Sequence, residues 1–126
     1  MFQKISTIII WSGNWKPLAA WYQKVFKIKP IEEINHPKDT GILFEFPGGQ
    51  PWLWVGAHDK IKGKNKDPLR IMFNINVDSV TKTYAYLKKN GVKTFIAEPF
   101  KAPTMEKWFC TFSDPDGNTV QIIGKE

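Results

Sequence analysis

An internal echo restricts this chain to folds built by duplication. Pro47, Gly49, Val55 and Gly56 recur at one constant offset as Pro115, Gly117, Ile123 and Gly124, and the same offset lays Phe44 on Phe112. Self-similarity on this scale marks a supersecondary unit used twice. The first copy opens with a β-branched, apolar stretch, 3–11, that has the composition of a strand with at least one buried face. Asn14 stands as N-cap of a helix reaching Phe26, with Pro17 near its first turn and Leu18, Trp21, Tyr22, Val25 and Phe26 at helical spacing. Pro30 bars its continuation. Strands are then predicted over 31–34, 41–46 and 52–55, separated by turns rich in Pro, Gly and Asp.

The second copy begins with a clear alternation over 69–77. Ile71, Phe73, Ile75 and Val77 point one way, and Met72, Asn74 and Asn76 point the other. Asp78 can cap a helix over 79–90, and Gly91 has the chemistry of a left-handed stop. A strand over 92–97, a loop over 98–104, a strand over 108–113, a tight turn at 114–118 and a strand over 120–123 complete the set. Both halves therefore read βαβββ. The expected fold class is α+β: two tandem βαβββ modules forming an eight-stranded mixed sheet curved around a cleft, helices on the outer face. Module one spans 1–57, a linker 58–68, and module two 69–126.

Composition removes several other classes. The 126 residues are 42% apolar and 24% charged, as in ordinary folded domains, so disorder is not expected. Cys110 is the only cysteine, which rules out an internal disulfide and cysteine-based zinc clusters and fits a reducing compartment. The run Ile8-Ile9-Ile10-Trp11 is far too short for a membrane span or secretory leader. A cytoplasmic protein without membrane attachment is the expectation. The net charge is +6, yet every basic residue except Arg70 is a lysine, and the densest run, 60–66, has the pattern of a solvated linker. Nucleic acid is therefore not expected as a partner.

The run Phe112-Ser113-Asp114-Pro115-Asp116-Gly117-Asn118-Thr119-Val120-Gln121, with Leu18-Ala19-Ala20-Trp21-Tyr22 and Asn76-Val77-Asp78-Ser79-Val80, resembles the vicinal-oxygen-chelate superfamily of glyoxalases, bleomycin-resistance proteins, fosfomycin-resistance enzymes and extradiol dioxygenases. The resemblance covers nearly the whole chain. It implies a homodimer. In metal-dependent relatives, His, Glu or Gln ligands come from the first and last strand of each module. Transferred one at a time, those positions fall on Thr7, Leu53, Met72 and Gln121, and only Gln121 could ligate. A divalent ion needs several N or O donors converging at about 2.0 to 2.5 Å. No cofactor and no divalent metal are therefore expected, unless a displaced site uses Glu45, His36 or His58.

Strand parity assigns Thr7, Ile9, Leu53, Met72, Asn74, Asn76, Thr119, Gln121 and Ile123 to the concave face, an apolar lining with sparse amides and hydroxyls that suits a small-molecule pocket. Trp108 and Phe109 join this candidate site, following a loop that could cross its mouth. Trp52 and Trp54 are assigned to packing under a helix, like Trp21 and Tyr22. Glu45 either faces the cleft, where it could transfer protons, or faces solvent. His36 and His58 read as surface residues and Cys110 as a buried inert thiol. The expected function is metal-independent binding or sequestration of a small neutral or anionic aromatic ligand, the charge class following from the chain's positive field. The alternatives are a superfamily enzyme (lyase, isomerase or dioxygenase) with a displaced metal or Glu45 proton transfer, and a scaffold without a ligand.

Overall fold

A computed structural model describes residues 1–126. The chain divides into two compact units, Met1–Gly63 and Lys64–Glu126, so the lysine-rich segment 58–68 is shared between them. The eight strands form two hydrogen-bonded sheets of four, one per unit. No helix is long and apolar enough to cross a membrane.

In the first unit β1 (Thr7–Ser12) leads into α1 (Trp15–Phe26), followed by β2 (Lys29–His36), β3 (Asp39–Phe46) and β4 (Gly49–Ala57). The sheet order is β1-β4-β3-β2, with β1 parallel to β4 and the other pairs antiparallel. A parallel pair needs a crossover, and α1 is part of it. Leu18, Ala19, Tyr22 and Val25 are the buried stripe of α1, which packs against β1, β3 and β4. Ile10, Phe44, Leu53 and Val55 are the buried sheet residues beneath it. Asn14 occupies the N-cap position but its side chain makes no capping bond; its N–H donates instead to Ser12 Oγ at 3.0 Å. The helix stops before Pro30 is reached, at Lys27, whose φ of 53° is left-handed. Pro30 then lies in β2, an edge strand, where a missing donor is tolerated.

The second unit repeats the order as β5 (Met72–Ser79), α2 (Val80–Lys89), β6 (Phe95–Lys101), β7 (Trp108–Ser113) and β8 (Thr119–Lys125), with sheet order β5-β8-β7-β6. Val80 and Leu87 of α2 are buried, as are Cys110, Phe112, Val120 and Ile122 of the sheet. The cap of α2 is Ser79 rather than Asp78. The strand persists two residues further than expected, leaving Ser79 extended with its Oγ accepting from Lys82 N at 3.3 Å. Ser79 Oγ also donates to the Glu126 carbonyl at 2.8 Å. Gly91, at φ 109°, supplies the left-handed turn. Strand β6 starts at Phe95, not at position 92, because Val92 N still bonds back to Leu87 O. It also runs through Pro99 to Lys101, residues expected in a loop. Register shifts beside Ala97 and Phe100 place that proline on an irregular sheet edge.

The turn between β7 and β8 is closed by its own carboxylate. Asp114, 4% exposed, accepts from Asp116 N and Asn118 N at 2.9 Å through Oδ1, and from Asn118 Nδ2 at 2.9 Å through Oδ2. Asn65 stitches the preceding segment to it, donating from its backbone to Asp116 O at 2.8 Å and from Nδ2 to Asn118 Oδ1 at 3.0 Å. Its lysine neighbours remain exposed.

Candidate functional site

Each sheet has one face against its helix and one face free of it. Register decides which side chains stand on which. In the first unit Thr7 pairs with Trp52 and Ile9 with Trp54, while Leu43 also pairs with Trp54. Neighbours across strands share a face. Thr7, Ile9, Trp11, Leu43, Trp52 and Trp54 therefore occupy the helix-free face. Leu53 does not: it pairs with Ile8 and Phe44, is 1% exposed and belongs to the core under α1. Assigning Leu53 to the ligand face and Trp54 to the helix side is thus corrected by one residue, and a one-residue slip exchanges the two faces.

The source of the slip is the hairpin. Nine residue steps separate Phe44 from its partner Leu53, but eight separate Phe112 from its partner Val120. A register shift between Phe44 and Phe46 absorbs the extra residue. The constant offset of the echo therefore fails beyond the turn, and the structural equivalent of Gln121 is Trp54.

Trp54 packs closely over a pair of glycines. A Cβ on Gly56 would sit 2.4 Å from Trp54 Nε1, and one on Gly41 would sit 2.6 Å from Trp54 Cζ2. Gly41 and Gly56 are register partners, and a side chain on either would strike the indole and also neighbouring backbone, Val55 O at 2.5 Å from Gly41 and Thr40 O at 2.8 Å from Gly56. Its Nε1 is buried with no hydrogen-bond partner. Trp11 meets Trp54 edge-on at 6.4 Å between ring centroids, and His58 buttresses Trp11 at 5.5 Å. Trp11 and Trp54 border a recess of about 390 Å³ lined also by Ser6, Thr7, Ile9, Glu32, Ile34, Asp39 and Leu43. Of the expected site, Thr7 and Ile9 are here. Trp11, Glu32, Asp39 and Trp54 were not anticipated, although extending the Thr7 and Ile9 alternation by two residues reaches Trp11.

Glu45 stands at the register shift between Phe44 and Phe46, and its contact with Trp52 puts its side chain on the helix-free side. Its Oε2 accepts from Trp52 Nε1 at 3.0 Å. It is not among the residues lining the recess. The displaced-site candidates His36 and His58 do not gather with it: each accepts a backbone N–H two residues on through its Nδ1, from Lys38 at 3.0 Å and Lys60 at 3.1 Å.

In the second unit Met72 pairs with Thr119, Asn74 with Gln121, and Gln121 with Thr111. Together with Phe109 and Ile123, these form its helix-free face. Gln121 Nε2 donates to Thr111 Oγ1 at 2.9 Å. Phe109 stacks on Phe100 with centroids 5.7 Å apart. Trp108 cannot share that face with Phe109, because adjacent strand residues point oppositely; it carries the parity of Cys110 and Phe112, on the α2 side. A recess of about 580 Å³ near 101–106 is lined by consecutive residues of one segment, bridged by a 3.0 Å Lys101–Glu106 ion pair, and brings no separate elements together.

On the α2 side, burial, then the Glu98 charge, pushes the Cys110 thiol up to about 11. Fully buried and protonated, it is no nucleophile. Burial, then a Glu98 hydrogen bond, raises the nearby Tyr84 hydroxyl above its ordinary value.

The ligand positions implied by the family resemblance become Thr7, Trp54, Met72 and Gln121 once the register is corrected. A neutral hydroxyl, an indole N–H, a thioether and a single amide oxygen do not make up the donor set of a divalent ion. No three His, Cys, Asp or Glu side chains gather to hold one elsewhere.

A profile of the Glyoxalase/Bleomycin resistance protein/Dioxygenase superfamily matches residues 4–122. No curated protein matches the chain. Among solved structures, a superfamily member from Sphaerobacter thermophilus superposes with TM-score 0.79 at 16% identity, covering 98% of both chains. A glyoxalase I mutant from Zea mays gives TM-score 0.80 at 18% identity, over 97% of this chain and 45% of that one. The genomically encoded fosfomycin resistance protein of Listeria monocytogenes, complexed with Mn(II) and sulfate, gives 0.73 at 14% identity, over 100% and 95%. At these identities the likeness establishes the fold.

Proposed function

Because the chain belongs to the Glyoxalase/Bleomycin resistance protein/Dioxygenase superfamily, we propose that it serves as a metal-independent binder that holds a small, ring-containing organic molecule without turning it over. The observation that carries this reading is the occupant of the family position on the last strand of the first unit. Trp54 stands there, packed over Gly41 and Gly56, and it borders a recess in which Ile9, Trp11, Ile34 and Leu43 are the other apolar groups and Ser6, Thr7, Glu32 and Asp39 the polar ones. An indole can stack on a ring but cannot ligate an ion through its N–H nitrogen. The chain-wide charge of +6, the basis for expecting a neutral or anionic ligand, is a long-range property; near the ligand its lining counts for more. Pairing of two chains forms part of the proposal and is read by light scattering.

Thermal-shift screening of the EDTA-treated protein against planar organic compounds tests the reading. A ligand at a hundredfold excess over its Kd adds about 2.7 kcal/mol of apparent stability. A shift without metal supports binding. A shift that requires Zn, Mn, Ni or Fe contradicts it, and no shift across a broad library favours a scaffold.

The enzymatic reading rests on Glu45, the carboxylate hydrogen-bonded to Trp52 on the same face. Turnover of any binding compound that disappears in Glu45→Gln would replace sequestration by proton transfer.

A further inference from the structure

We propose that the recess of the first unit selects a flat organic cation, an inference that rests on the reading above and names its ligand class. Trp11 and Trp54 provide aromatic walls edge-on to one another at 6.4 Å. Glu32 of β2 and Asp39 of β3 supply two exposed carboxylates, and neither is engaged in an ion pair. No Lys, Arg or His lines the recess. In a chain with 18 basic residues against 12 acidic ones, this lining is locally acidic and aromatic.

Both features favour the same charge. The faces of aromatic rings attract cations, indole most strongly, and a carboxylate pairs with a planar N–H fork through two hydrogen bonds. An anion here would meet two carboxylates with no basic side chain in the lining to offset them. The positive field of the remainder of the chain is screened over about 8 Å at physiological ionic strength, so the lining decides. Trp54 is fixed on its glycine bed before any ligand arrives, which limits the entropy lost on binding. The hydroxyls of Ser6 and Thr7 lie within the same lining and can accept from an ammonium, amidinium or guanidinium group.

Benzamidinium, benzamide and benzoate have nearly one shape and carry charges of about +1, 0 and −1 at neutral pH, so they are the probes. Each is titrated into the ¹⁵N-labelled protein while the indole N–H signals of Trp11 and Trp54, assigned with Trp→Phe variants, are followed at low and at moderate salt. Benzamidinium is expected to shift both indoles and to bind about tenfold more tightly than benzamide, with benzoate weakest. The double variant Glu32→Gln, Asp39→Asn changes only exposed side chains and is expected to bring benzamidinium down to the benzamide level. Benzamide or benzoate binding at these indoles as tightly as benzamidinium overturns the cationic class and leaves the binding reading standing. A benzamidinium preference that survives the double variant also overturns it. Failure of all three to move either indole rejects this recess, while thermal shifts with other planar compounds would still keep the binding function alive.

Discussion

The two units use one architecture and dress it differently. At equivalent stations the first unit has Leu43 beside Trp54 and Ile9 beside Trp54, whereas the second has Thr111 hydrogen-bonded to Gln121 and Asn74 paired with Gln121. Beneath the helices the correspondence is close: Phe44 matches Phe112, Leu53 matches Val120 and Val55 matches Ile122, all at most 1% exposed. The core that specifies the fold is kept while the face without a helix diverges. One glycine marks the divergence, since Gly56, which makes room for Trp54, corresponds to Ile123 in the second unit. A duplicated sheet thus yields an aromatic, acidic face in one copy and an amide and hydroxyl face in the other, because only the buried side is constrained by packing.

The largest effect expected from breaking this comparison is in the core. Leu53→Ala should cost about 2 to 5 kcal/mol in urea unfolding, while Gln121→Ala, its counterpart in the faulty sequence matching, should cost about 1 kcal/mol. Equal costs would mean that the two positions share a face after all. Next, Gly56→Ala should cost about 1 to 3 kcal/mol through overpacking against Trp54. It should move the Trp54 indole resonance and leave the Gln121 side-chain amide unchanged; an unmoved indole would contradict the glycine bed.

A pH effect separates the units as well. The Cys110 thiol titrates near 11 in the folded protein against an ordinary 9.0, so the folded state holds that proton more firmly than the unfolded chain. Unfolding releases it between those values, and stability falls as pH rises from about 9 to about 11. Comparing urea midpoints across that window for the native protein and Cys110→Ala reads this directly, because the variant should show a shallower decline. The smallest effect concerns the cap of α2. Ser79→Ala should lower stability by about 1 kcal/mol and Asp78→Ala by less than about 0.5 kcal/mol. The reverse order would restore Asp78 as the cap.

Much of the fold was legible because its signals are local. The alternation through Phe73, Ile75 and Val77, the Pro and Gly turns and the helical spacing of Leu18, Tyr22 and Val25 each report a period set by backbone geometry. The site was less legible, since faces depend on register and register depends on the hairpin. A single extra residue between Phe44 and Leu53 was enough to send Leu53 inward and Trp54 outward. Side chains from separate strands, such as Glu32 and Asp39 lining one recess with Trp11, leave no spacing in the sequence to detect. Cap identity failed on a finer scale, because both Asp78 and Ser79 are good caps and only the length of β5 chooses between them.

The account stands most directly on ligand binding without metal. The indole signals of Trp11 and Trp54 in EDTA-treated protein, followed as a screened ring-containing ligand is added, measure it. Saturable shifts of both indoles, unchanged when Zn or Mn is restored, are the predicted result. Shifts that appear only after the ion is returned would contradict it.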